Sequence, residues 1–376
     1  MDLEAFLTQF QDFYKSQRPF VLYRKPHKKA IKALVQEDDK LHFVKDFFEQ
    51  GFVMTPFDDK NPMVLIPFEN SEVFGVESYD LKEFEERENS WSSSNLEAYK
   101  RQHVDLVKEG VNAIQKGDFE KVVLSRQEKV VLDTPNPIEL FLKLLATYPT
   151  AFVYCWYHPK VGLWLGATPE TLLKVENNRM STMALAGTQA YKDTKDVVWG
   201  VKEQQEQQFV TDFIVESLQG VVGNLRVTKP GTVRAGGLLH IQTKISGALN
   251  GNLEEVIKRL HPTPAVCGLP KLASKAFIIE KEHYNRTYYT GFLGELNLKE
   301  KNARNTKRRN IENNAYDTVK TVTDLYVNLR CMQLKDDAAL IYVGGGITKD
   351  SNPELEWEET VNKSKTMKKV LNSVQK

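Results

Sequence analysis

The chain has 376 residues, 41% hydrophobic and 27% charged, a composition typical of a globular protein with room for one large core or two ordinary domains. Lys plus Arg (51) nearly balances Asp plus Glu (50), so no global field favours nucleic acid or an anionic membrane, and any anionic ligand must be recognised locally. Cys155, Cys267 and Cys331 are widely spaced and form no C-x-x-C pair, which excludes a disulfide framework or zinc knuckle and suits a reducing cytosol. The N-terminus lacks a basic, then apolar, secretory pattern, and no charge-free apolar run is long enough for a bilayer; a cytoplasmic chain without membrane or nucleic-acid partners is expected.

Met1 to about Ser16 has the spacing of an amphipathic helix, and Phe20–Tyr23 follows as a short strand. The basic stretch Lys25–Lys32 reads as solvated surface. Gly51–Phe57 and Met63–Phe68 are expected strands limited by Pro, and all of these elements are assigned to the periphery. From Asp80 to Ser94 the chain is polar and Glu-rich, ending in a helix N-cap signal at Ser94 or Asn95. A boundary there separates residues 1–94 from 95–376, with both parts expected in one integrated structure. Leu96, Tyr99, His103, Leu106 and Ile114 then keep helical spacing up to Gly117.

Lys121–Arg126 alternates like a strand; Ala151–Tyr157, Gly162–Leu165, Thr171–Val175 and Ser181–Gly187 follow at hairpin spacing. Helices are expected at Glu203–Leu218, Leu253–Leu260 and Tyr316–Val322. The pattern is that of an α+β fold with large antiparallel sheets. Lys299–Asn314 is charged and nearly free of apolar residues, which reads as a surface loop or insertion. Leu340–Gly346 reads as a strand running into a glycine turn, serving either an anion's approach or only the fold.

Two segments place carboxylates where they are costly. In a helix over 202–214, Phe209, Val210, Phe213 and Ile214 form a core-facing stripe that leads back to Glu206 and Glu203. Near the C-terminus Glu356, Glu359 and Lys363 share one face, continued by Met367 and Val370. Two helices each offering paired carboxylates can jointly hold a hard divalent cation; a solvated helix face is the alternative for either pair alone.

Taken together, the motifs resemble the chorismate-utilising enzymes, most closely the isochorismate synthases. They are KVVLSR at 121–126, GATPETLL at 166–173, ALAGT at 184–188, K-E-x-x-E-x-x-x-V-x-D-x-I at 202–214, HIQTKISG at 240–247, HPTPAVCGLP at 261–270, E-x-x-x-R-x-x-Y-x-G from Glu282 to Gly291, YVGGGI at 342–347 and E-x-E-W-x-E-x-x-x-K ending at Lys363. The first ninety or so residues match only loosely. The resemblance implies an α/β sandwich with the active site in a cleft between sheets and helices, binding chorismate with Mg2+. It implies Glu206 and Glu359 as metal ligands with Glu203 and Glu356 close by, Lys121 as general base and Glu170 as general acid. Thr188, His240, Arg330, Lys363 and the glycines Gly344, Gly345 and Gly346 would bind substrate.

Isomerising chorismate adds water at one ring carbon while a hydroxyl leaves another, so a base and an acid are needed on opposite faces of the ring. A Lys serves as the base only if its setting lowers its pKa, and a Glu as the acid only if its setting raises its own. Relatives that use ammonia typically carry Gln in place of Lys121, and relatives that use a lysine nucleophile carry Lys in place of Ala186. Both nitrogen-delivering activities, and a glutaminase subunit, are therefore not expected. Salicylate synthase, which goes on to eliminate pyruvate, shares the base and the acid and remains the alternative; a non-catalytic protein binding a small anion or a partner is the second. Menaquinone and siderophore biosynthesis are equally open destinations for the product, as are a monomer and a homodimer. Gln207 stands where many members have His.

Overall fold

The computed structural model describes residues 2–81, 84–86, 96–133, 135–192, 194, 196–235, 237–302 and 318–375. Seven α-helices are present among them: α1 (Leu3–Lys15), α2 (Leu96–Lys116), α3 (Pro137–Thr147), α4 (Val201–Leu218), α5 (Leu253–Leu260), α6 (Lys271–Lys281) and α7 (Pro353–Asn372). The expected cap at Ser94 or Asn95 and most of the 299–314 stretch lie outside the described residues.

Two large antiparallel sheets form the body. The first has nine strands, in the order Gly268–Leu269, Lys121–Val131, Ala338–Ile347, Cys331–Lys335, Gly162–Thr168, Phe152–His158, Phe20–Arg24, Ile31–Gln36 and Ser71–Val76. The second has ten and runs from Val222–Val227 through Leu238–Leu249, Arg179–Ala190, Thr171–Glu176, Thr318–Val327 and Phe292–Asn302 to Gly51–Thr55, Val64–Pro67 and His42–Phe43, with Gly231–Ala235 pairing with Leu238–Leu249 off that path. Three apolar layers explain why so many strands are buried on both faces. Val21, Tyr23, Trp156 and Trp164 of one sheet meet Phe52, Met54, Leu293 and Tyr326 of the other in a largely aromatic seam. The outer face of the first sheet packs under α1, α3 and α7, and that of the second under α4 and α5. Each fully buried large apolar side chain in these layers stabilises the fold by roughly 2–3 kcal/mol.

Local chemistry sets the helix starts. Asn136 caps α3 by accepting from the backbone N–H of Ile138 and Glu139, with Pro137 in the first turn, and Asn252 caps α5 through Glu255 N–H. In α4 the buried stripe is Gln207, Val210, Thr211, Ile214 and Leu218, whereas Phe209 and Phe213 are only half-buried.

Five expectations are corrected. The first eighty residues are not peripheral: Phe20–Arg24 pairs with Phe152–His158 inside the first sheet, and Gly51–Thr55 with Phe292–Leu296 inside the second. The basic stretch is not simply solvated, because Lys25 pairs with Glu295 and Asp324, and Lys32 bonds Glu295 at 3.2 Å and Glu300 at 3.1 Å. Lys299–Asn302 continue a strand and Thr318–Val322 belong to another, not to a helix; the two pair in register, Lys299 opposite Thr321 and Asn302 opposite Thr318. β-branched residues at Thr318, Val319, Thr321 and Val322 suit that pairing better than a helix. Gly344, Gly345 and Gly346 lie within the Ala338–Ile347 strand rather than in a turn, opposite Ser125, Leu124 and Val123.

Candidate active site

The strand that opens at Lys121 is fixed along both edges. On one side it pairs with Ala338–Ile347. On the other, Gly268–Leu269 of the HPTPAVCGLP segment pairs with Val122 and Lys121, and Ser274 Oγ donates to the Lys121 carbonyl at 2.8 Å. Arg286 donates to the carbonyls of Val123 (2.6 Å) and Val266 (2.9 Å) while paired with Glu282, whose carboxylate also accepts from Ser125 N–H at 2.8 Å. Two of the most recognisable motifs therefore clamp the strand that presents Lys121. Lys121 is fully buried and donates from Nζ to Glu206 Oε1 at 2.7 Å.

A cavity of about 150 Å3 opens beside this pair. Glu170, Thr188, Glu203, Glu206, His240, Arg330, Gly344, Gly345, Gly346, Glu359 and Lys363 all line it. Lys121 reaches its edge through Glu206 and the bare Cα of Gly346, and Glu356 lies behind Gly345. The sequence-predicted residues thus meet in one place from both sheets and from α4 and α7. Ala186 is also part of the lining.

Glu170 is 4% exposed, and burial pushes its carboxyl up to about 8 against the opposing pull of Arg330 and Lys121. Glu206 behaves oppositely: burial would raise it, but the charge and hydrogen bond of Lys121 hold it below the usual carboxylate range. His240 is buried and Arg330 adds repulsion, so its ring is held down to about 3 and is neutral. Arg330 Nη2 donates to His240 Nε2 at 2.7 Å, which puts the ring proton on Nδ1, donating to the Gly187 carbonyl at 2.8 Å. Gly187 has φ +68°, and a Cβ there would press on Glu203 Cβ at 3.1 Å; only glycine supplies this carbonyl without strain. Arg330 itself holds φ +46°, a strained backbone that aims a cation into the cavity.

The acidic wall is bridged by lysines. Lys121 holds Glu206, Lys202 holds Glu356 Oε1 at 2.9 Å, and Lys363 holds Glu359 at 2.7 Å while donating to the Gly344 carbonyl at 2.9 Å. The Glu203 carboxylate folds back over Gly200, at the N-terminus of its own helix, where its charge suits the helix dipole. Among the described residues, no group of three or more His, Cys, Asp or Glu side chains is arranged to hold a metal ion. Glu356 is nevertheless 2% exposed and its Oε2 lacks a hydrogen-bond partner. A Cβ on Gly345 would sit 3.4 Å from that oxygen and 3.8 Å from Glu359 Oε1, so both carboxylates border space that the missing side chain leaves open.

Sequence reasoning passed over Lys202, Tyr289 and Thr290 as lining residues. The signals were present, since Lys202 opens the K-E-x-x-E motif and Tyr289 closes the R-x-x-Y spacing. Gln207 faces away from the cavity, donating to the Ala184 carbonyl and Thr243 Oγ1, each at 3.1 Å, and so joins α4 to the sheet beneath it. The three cysteines are buried and free, and no described helix is long and apolar enough to cross a membrane.

Comparison with known proteins bears on the family and the fold. Anthranilate synthase component 1 of Aquifex aeolicus is 25% identical over 352 residues, covering 88% of this chain and 65% of the relative. The isochorismate synthase MenF of Escherichia coli is 26% identical over 277 residues, covering 71% of this chain and 59% of the relative. The chain therefore spans less than two thirds of the length of these curated relatives. The solved structure of the menaquinone-specific MenF from Escherichia coli shares the fold, with a TM-score of 0.73 at 19% identity over 94% of this chain and 88% of that one. Residues 68–303 match the chorismate binding enzyme family, and residues 316–369 match a second description of chorismate binding enzymes: the chain belongs to the chorismate-binding enzymes.

Proposed function

We propose that the protein is a Mg2+-dependent isochorismate synthase, an isomerase that adds water to chorismate and expels its hydroxyl. The observation that carries this reading is Glu170. Its carboxyl, pushed up to about 8, keeps a proton at neutral pH and can donate it to a departing hydroxyl. Lys121 approaches the same cavity from the neighbouring strand and is the base for water, once its Nζ gives up the contact with Glu206. Arg330 and Lys363 supply positive charge for the substrate carboxylates, and neutral His240 fixes the Arg330 fork rather than exchanging protons. Ala186 lines the cavity where relatives with a lysine nucleophile carry Lys, and Lys121 stands where relatives that use ammonia carry Gln; together the two favour water as the entering group.

The residues present fit a divalent cation. Glu206 and Glu359 would hold it with Glu203 and Glu356 close by, and the unpartnered Glu356 Oε2 facing the space over Gly345 supports the assignment. Mg2+ bound there would neutralise a substrate carboxylate and fix the orientation of the ring. A cytoplasmic enzyme supplying menaquinone or siderophore biosynthesis fits this activity. The test is product analysis by chromatography and mass spectrometry after incubation with chorismate, with and without Mg2+, and with an ammonium salt in parallel. A Mg2+-dependent mixture of chorismate and isochorismate without pyruvate is expected. Stoichiometric salicylate and pyruvate, an aminated product, or no reaction would overturn the assignment.

A further inference from the structure

We propose that Lys202 is a positioning residue that stands in for the cation in the carboxylate ring, so that cation binding and the Lys202–Glu356 contact exclude one another; this rests on the divalent-cation reading above. Three carboxylates, Glu206, Glu356 and Glu359, pair one to one with three lysines, Lys121, Lys202 and Lys363, so their charges cancel, while the Glu203 carboxylate lies over Gly200. A divalent cation adds two positive charges to that balance, so an ammonium becomes surplus. Lys121 is fully buried, and Lys363 is tied to both Glu359 and the Gly344 carbonyl. Lys202 is the exposed member: its side chain is 46% accessible, against 3% for its partner Glu356.

That asymmetry decides which group moves. Glu356 cannot turn to water and needs a cation beside it, whereas the Lys202 ammonium can be solvated at little cost. Lys202 also lines two spaces at once, the inner cavity and an outer cleft of about 1200 Å3 that carries Asp118, Glu120 and Asp212. It can therefore leave Glu356 toward acidic groups outside without crossing the substrate cavity. Until then it joins α4 to α7 and keeps the ring assembled.

The experiment is Mn2+ titration of the full-length chain without substrate, followed by electron paramagnetic resonance, with metal-free thermal melts in parallel. Lys202→Gln should bind Mn2+ about three- to tenfold more tightly than the parent, because the competitor is gone. Its metal-free melting point should fall by about 2 °C and recover when Mn2+ is added. Lys202→Arg should match the parent in both measurements. Lys349→Gln removes an exposed charge from the outer cleft and should leave Mn2+ affinity within about twofold of the parent. Equal affinity in Lys202→Gln and the parent, or equal tightening in Lys349→Gln, overturns the exclusion. An unchanged metal-free melting point overturns the positioning role. No Mn2+ binding by any of these proteins overturns the cation reading itself.

Discussion

Glu170 and Glu206 line one cavity and carry the same carboxyl group, yet their proton affinities move in opposite directions. Burial pushes both upward. Glu206 has an ammonium at 2.7 Å, and that contact outweighs desolvation. Glu170 feels Arg330 and Lys121 only as more distant charges, and desolvation wins. The difference teaches that two carboxyls that burial pushes the same way are set apart by the lysines around them, Lys121 first, with Lys363 and Lys202 behind it.

The strongest way to break this contrast is Lys121→Met, which removes the proposed base and takes from Glu206 its nearest ammonium, leaving only the more distant Lys363 and Lys202. Turnover of chorismate should fall by about 10²–10⁴-fold while substrate binding, followed by calorimetry, persists. Near-parental turnover would dismiss Lys121 as the base. Gly346→Ala attacks the same contact sterically: the added Cβ would lie 2.5 Å from Glu206 Oε1 and 3.0 Å from Lys121 Cε, so the pair must shift. A loss of about 10²-fold in kcat is expected, whereas Gly345→Ala, whose Cβ meets Glu356 only at 3.4 Å, should cost less. The mildest test uses pH. Activity should decline about tenfold per unit above the Glu170 value of about 8, as the acid loses its proton. Stability carries the same signature. Between the usual value of 4.5 and about 8 the folded chain keeps a proton that the unfolded chain releases, so this group's contribution falls as pH rises through that window. Denaturant melts of Glu170→Gln should show a flatter dependence across it.

Much of the site was legible because its residues sit in ordered, short-range contexts. Lys121 opens a strand marked by its Val and Leu residues, though it is buried on both faces over 121–126 and does not alternate, and Glu356, Glu359 and Lys363 share a face that periodicity alone reveals. The pairings of Lys121 with Glu206 and of Lys202 with Glu356 were not legible, since folding and not spacing brings them together, unlike the i, i+4 pair of Glu359 and Lys363. The central place of the N-terminal strands was hidden for the same reason: Phe20–Arg24 reads as a strand, but looks isolated until Phe152–His158 arrives beside it. Near residue 320 composition misled, because charged and β-branched residues there extend a long antiparallel pair beyond the body of the sheet, where solvent takes the charges.

The register that sets Gly346 opposite Val123 also has a bearing on biosynthesis. Lys121, the proposed base, arrives early in the chain, whereas Gly346 and the carboxylates of α7 follow much later. A ribosome that has released the Lys121 strand but still holds α7 in its exit tunnel displays most of both sheets and no complete active site. The proposed site thus stays incomplete until α7 has left the tunnel, because a nascent chain that stops short of α7 carries Lys121 without Glu356 and Glu359.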